Sequence, residues 1–136
     1  GRTPTLATFR SVANMLVPTY GSVTINSGKG ISDAEALDGR AVVRLVIPST
    51  WNATTAPTLS LTVSEDGTTF KPVYYWSSTT PATPALASVA VNTSRSYAIP
   101  ADWTVGAHSV KVVSGTTGTT TPIAKNRVVG LVYRLE

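Results

Sequence analysis

"TLSLTVSEDGTTFKPVYYW", Thr58 to Trp76, decides how the rest of the chain is read. Leu59, Leu61 and Val63 alternate with polar residues, the period of two expected of a strand with one buried face. "SEDG" interrupts the pattern, and "FKPVYYW" (70–76) resumes it as a return strand. The pair reads as a β-hairpin. Glu65 and Asp66 fall at right-handed turn positions, and Gly67 supplies the positive φ of a three-residue loop with a bulge. Asp66 and Gly67 are therefore structural turn residues, and Phe70 is expected to return apolar surface to the core. An acidic pair beside a glycine would also suit a catalytic dyad, a metal loop or a sugar-binding tip. The hairpin is preferred because the acids would sit at an exposed tip with no base beside them. Pro72, with no N–H to donate, places the return strand at an edge or a bulge.

Outward from this hairpin the same period recurs. "YGSVTIN" directs Val23 and Ile25 to one face, and "RAVVRLVI" (40–47), apolar on both faces except at Arg44, suits a central strand. "ASVAVN" (87–92), "HSVKVVS" (108–114) and "RVVGLVYRL" (127–135) are further strands. "GISDAEALDG", "SSTTPATPA" and "GTTGTTT" are loops, the last two being Thr-rich tips. Seven or eight short strands with turn signals every ten or so residues indicate a sandwich or jelly roll. The expected fold is an all-β, jelly-roll-like antiparallel β-sandwich over residues 20–136. Residues 1–19 precede it as an arm or a short helix, since Leu6, Phe9, Val12, Met15 and Leu16 fall at helical spacing.

The totals agree. A chain of 136 residues suits one domain with a core of its own. Only 13% of residues are charged, while 22 are Thr and 14 are Ser, which argues against a helical bundle and against disorder. The net charge of +4 comes from few acids rather than many bases, and the bases are scattered singly. That excludes a nucleic-acid arm or a polybasic membrane patch. No apolar run approaches the ~20 residues of a membrane span. The first residues lack the charged-then-apolar order of a secretory leader, so a soluble protein is expected. With no cysteine, disulfides and thiolate chemistry are excluded.

Two pentapeptides echo one another: "IPSTW" (47–51) and "IPADW" (99–103). In each, proline ends a strand and the tryptophan can fold back over the open end of a sandwich. Trp51 and Trp103 are therefore read as structural corners.

Chemistry is sparse. His108 is the sole histidine, and no GxSxG frames a serine, so neither a triad nor zinc is expected. Asp33, Glu35 and Asp38 lack the spacing of a calcium loop, whereas Ser32 and Glu35 fit a capping box for one helical turn. No catalytic, cofactor-binding or metal site is assigned. Tyr74, Tyr75 and Trp76 must alternate faces of a strand, so at least one points away from the core. Tyr75 is placed at a subunit contact, where tyrosine is favoured, ahead of a sugar-stacking platform built with Trp51 or Trp103.

Four segments, in order, carry a resemblance: Leu37 to Gly39, Ile47 to Trp51, Ser64 to Phe70 and Ser114 to Thr116. Over residues 20–136 the chain resembles small structural proteins of tailed bacteriophage virions, of decoration or cement type. The resemblance implies a non-enzymatic virion component and leaves its place in the virion open. The expected place is the capsid surface, as a homotrimer made in the host cytoplasm whose partner is the major capsid protein. Arg2, Leu6, Phe9, Arg10 and Met15 of the arm become the expected capsid contacts. A tail, neck or fibre component, and a carbohydrate-binding sandwich module, are the alternatives.

Overall fold

The structure, a computed structural model, describes residues 19–51, 58–79, 82–115 and 126–135. The arm residues Arg2, Leu6, Phe9, Arg10 and Met15 lie outside the described residues, as does most of the 115–121 tip. Within them the chain is all-β and antiparallel, with one 3-10 turn and no α-helix.

The strands are β1 (Thr19–Ile25), β2 (Glu35–Ala36), β3 (Arg40–Ile47), β4 (Thr58–Ser64), β5 (Lys71–Pro72), β6 (Tyr74–Thr79), β7 (Ala82–Leu86), β8 (Ser88–Ala90), β9 (Arg95–Ala98), β10 (Ser109–Ser114) and β11 (Arg127–Leu135). One sheet runs β1-β11-β3-β9, and the second runs β2-β10-β4, with β5 and β8 sharing the far edge of β4. The two sheets close on a single core. Val23, Ile25, Leu45, Val129, Leu131 and Tyr133 come from the first, and Leu59, Leu61, Val110 and Val112 from the second. As the period-two pattern requires, β3 lies inside its sheet with Arg44 exposed.

Sharing an edge has a consequence for the chain between β5 and β8. β5 pairs with Thr62 and Val63, and β8 pairs with Thr58, Leu59 and Ser60. At Leu61, between them, the chain leaves the sheet through Val73 and returns through Ala87. Three backbone bonds close that junction: Val73 N–H to Leu61 O (3.0 Å), Ala87 N–H to Val73 O (2.8 Å) and Leu61 N–H to Ala87 O (3.3 Å). Val73 and Ala87 are buried there, and residues 74–86 project as a separate two-stranded hairpin, β6-β7. The segment "SSTTPATPA", expected as a loop, thus supplies the end of β6 and most of β7.

Several local expectations are corrected. The 64–71 turn is not a three-residue loop, because six residues separate β4 from β5. Phe70 does not enter the core: it lies half-buried on the outer side of the second sheet, beneath the Lys111 ammonium at 4.3 Å. No helical turn is capped at 32–35. Ser32 Oγ instead donates to Asp33 O and accepts from Val112 N–H, while Glu35 sits in β2. β4 is buried on both faces, with Ser60, Thr62 and Ser64 covered as well as Leu59 and Leu61.

β1 and β11 pack closely because Gly21 has no side chain. A Cβ there would come within 2.8 Å of the Tyr133 ring, which lies across β1; overpacking of that kind costs about 1–3 kcal/mol. The Arg40 guanidinium covers the Tyr133 ring at 4.1 Å and donates to Leu37 O, Ala36 O and Thr19 Oγ1. Burial, reinforced by the charge of Glu35, holds the Tyr133 hydroxyl above the ordinary tyrosine range.

Candidate functional site

The two Ile-Pro-x-x-Trp corners fold alike at the backbone. Trp51 N–H donates to Pro48 O and Trp103 N–H to Pro100 O, each at 3.2 Å. Their side chains part company. Trp51 is 1% exposed and belongs to the core, with the Arg127 guanidinium 6.0 Å from its ring, so it is structural and no ligand platform. Trp103 closes the 3-10 turn Ala101–Trp103 and is half-buried, its inner side against the core and its ring stacked on Tyr75. The centroids are 5.7 Å apart and the planes 28° from parallel. Tyr75 thereby leans the projecting hairpin against the corner.

Tyr74 and Trp76 both point away from the core and are 57% and 67% exposed. The reason is the peeling of the chain at Leu61, which lifts both faces of this strand off the sheet. Nothing in the residue pattern of "VYYW" reports that departure. Together Tyr74, Tyr75, Trp76, Pro100, Asp102 and Trp103 line an open cleft of about 470 Å³. A second lobe of about 390 Å³ adjoins it through Tyr74, Asp102 and Trp103, and adds Glu65, Lys71 and Val105 to the walls. Glu65, Lys71 and Asp102 are exposed, and among the described residues none of these three side chains makes a hydrogen bond or ion pair.

Asp66 and Gly67 build the turn beside this second lobe. Asp66 Oδ1 accepts from Ser64 Oγ (2.8 Å), Thr68 N–H (2.8 Å) and Thr69 N–H (2.9 Å), while Gly67 N–H donates to Ser64 Oγ at 2.8 Å. The two backbone donors, then Ser64, hold the Asp66 carboxyl well below the usual carboxylate range. Gly67 takes φ +88°, and a Cβ there would lie 3.0 Å from the His108 ring. The expectation that no base stands beside this turn is thus overturned: β10 pairs with β4 and brings His108 to it.

His108 Nδ1 contacts Ser109 Oγ at 2.6 Å, but Ser109 is 4% exposed and not presented to a substrate. Asp33, Glu35 and Asp38 do not converge. Asp33 Oδ1 caps Thr24 N–H (2.8 Å), Glu35 is half-buried in β2, and Asp38 faces Arg40 at 3.9 Å. Among the described residues no group of three or more His, Cys, Asp or Glu could hold a metal ion, and no helix is long and apolar enough to cross a membrane.

No protein-family model matches the chain, and no curated protein matches it. Among solved structures it is similar to the crystal structure of the SPBc2 prophage-derived protein YomS. The TM-score is 0.50 and the identity 12%, over 86% of this chain and 95% of that one. At that identity the likeness is one of fold.

Proposed function

We propose that the protein is a non-enzymatic structural component of a bacteriophage particle, a decoration or cement protein that stabilises the head shell. The observation that carries this is the edge of β1, which no described strand covers. The strand, "TYGSVTI", contains no charge and no proline, and Tyr20 on it is 81% exposed. Thr24 has its outward N–H and C=O occupied by Asp33. Tyr20 and Ser22 share that orientation by the period of two, and among the described residues no hydrogen bond covers their outward backbone groups. Folded proteins normally protect such an edge with charge, proline or a covering segment. An edge left open is suited to pairing with a neighbour in an assembly, where backbone hydrogen bonds give a stiff junction.

Residues 1–18, with Arg2, Leu6, Phe9, Arg10 and Met15, precede this strand in the chain. The fold likeness to a prophage-derived protein supports the assignment to a phage. In this proposal the sandwich is jelly-roll-like, and it sits as a trimer at three-fold positions of the capsid surface. The major capsid protein is its partner, met after synthesis in the host cytoplasm.

The test is sedimentation of purified protein with heads that lack it, counting bound copies per head. Tyr20→Lys and deletion of residues 1–18 should each lower occupancy at least tenfold while thermal melting stays near that of the wild type. Undiminished occupancy for both variants would overturn the proposal. Binding to tails instead of heads would assign the same edge to the tail, neck or fibre.

A further inference from the structure

We infer that the cleft between the 74–86 hairpin and the 100–107 corner is a saccharide-binding site. It is independent of the particle contact proposed above. β1 is one edge of the first sheet, and β9, which leads into the corner, is the other.

The inference rests on what the cleft offers at once. Its apolar surface is aromatic and flat: Trp76 and Tyr74 are 67% and 57% exposed, and Tyr75 and Trp103 are already stacked on each other. That pair fixes the hairpin against the corner, so the walls are formed before any ligand arrives, which lowers the ordering cost of binding. The polar groups around these rings are free acceptors and a free donor, Glu65, Asp102 and Lys71, none of them in a hydrogen bond or ion pair.

Ligand classes separate on this mixture. An apolar protein partner would bury three unpaired charges at the centre of its contact, where interfaces are depleted of charge and each unpaired ion costs several kcal/mol. A phosphate or other anion meets two carboxylates. A quaternary or primary ammonium would find the aromatic rings but would also meet Lys71. A neutral ring with an apolar C–H face and a hydroxyl rim satisfies every wall. The C–H face stacks on Trp76 or Tyr74, and the hydroxyls donate to Glu65 and Asp102 and accept from Lys71 and the Tyr74 hydroxyl. The lobes, at about 470 and 390 Å³, are each within the size range of small-ligand pockets. Two lobes sharing Tyr74, Asp102 and Trp103 suit adjoining rings of an oligosaccharide rather than a single sugar.

A broad glycan array probed with the purified full chain gives the first readout. The second is affinity electrophoresis through gels containing the polysaccharide that each bound glycan represents. Saturable binding to at least one glycan is expected. Trp76→Ala should weaken it at least tenfold and Asp102→Asn several-fold, with thermal melting unchanged because both side chains are exposed. Tyr20→Lys should leave it intact, which separates this site from the particle contact. An array without binding, or binding that Trp76→Ala and Asp102→Asn both leave unaltered, would overturn the inference.

Discussion

One oxygen of Asp66 receives three hydrogen bonds, from the Ser64 hydroxyl and the Thr68 and Thr69 amides. All three reward the ionised carboxylate, so the folded state holds its pKa below the ordinary value of 3.8. The sign of the linkage follows. Because the folded pKa is depressed, Asp66 contributes stability at every pH above about 3.8, and that contribution is lost as pH falls through the acid range toward the folded value. Asn at this position keeps an acceptor oxygen but carries no charge. Asp66→Asn should therefore melt below the wild type at pH 6–7, and the two should converge as pH is lowered from 4 to 2. Thermal melts across that range check it, and parallel profiles would show that the charge contributes nothing. Glu65, one residue earlier, has no such partners, and Glu65→Gln is the matched control. The two acids look equivalent in "SEDG". They differ only through the bonds the turn makes.

At the level of elements, the projecting hairpin tests how far local pattern carries. β1, β3, β4, β10 and β11 are legible in the sequence because each runs six residues or more with its apolar side chains at period two or, as in β3, on both faces. β5 and β8 are short but fall inside the segments 70–76 and 87–92 that read as strands, whereas β2 and β9, at two and four residues, are too short for a period to register. The end of β6 and most of β7 carry Pro84 and a run of Ser and Thr, so their composition reads as loop. Their pairing is instead set by the closed junction at Leu61, Val73 and Ala87, which joins residues far apart in sequence. The site is legible to the same degree. The corner at Trp103 could be read from its echo of Trp51, but nothing in the shared pattern says that Trp51 is buried and Trp103 only half-buried.

Since the junction is closed below the hairpin, the body is expected to fold without residues 75–85. Tyr74 and Leu86 are direct cross-strand partners, the geometry that a two-residue Asn-Gly turn bridges. Replacing 75–85 by Asn-Gly should preserve the far-UV spectrum and keep the melting temperature within a few degrees. It should also abolish saccharide retention. Unfolding of that variant would mean that the Tyr75–Trp103 stack supports the core rather than the cleft.

For the whole molecule, the two sheets share a core and are tied together by the segments that pass between them. Val42 N–H of β3 donates at 2.8 Å to Thr104 Oγ1 of the segment leading into β10, and Ser32, bridged to Ile25 of β1, donates its N–H to Val112 O of β10 at 2.9 Å. Neither sheet can lose its inner face without exposing that of the other, since Leu45, Leu61, Val110 and Leu131 belong to one cluster. Such coupling predicts one cooperative transition for the described body. It also predicts slow folding, because the main pairings, β1 with β11, β10 with β4 and β3 with β9, join distant parts of the chain, and loop closure precedes every gain from them. In urea, the near-UV signal of packed rings such as Trp51 and Tyr133 should be lost at the same midpoint as the far-UV strand signal. Refolding should take milliseconds to seconds, apart from any slower phase set by the nine prolines. Separate midpoints for the two signals would mean that one sheet survives without the other, and the shared core would then not be what holds the fold together.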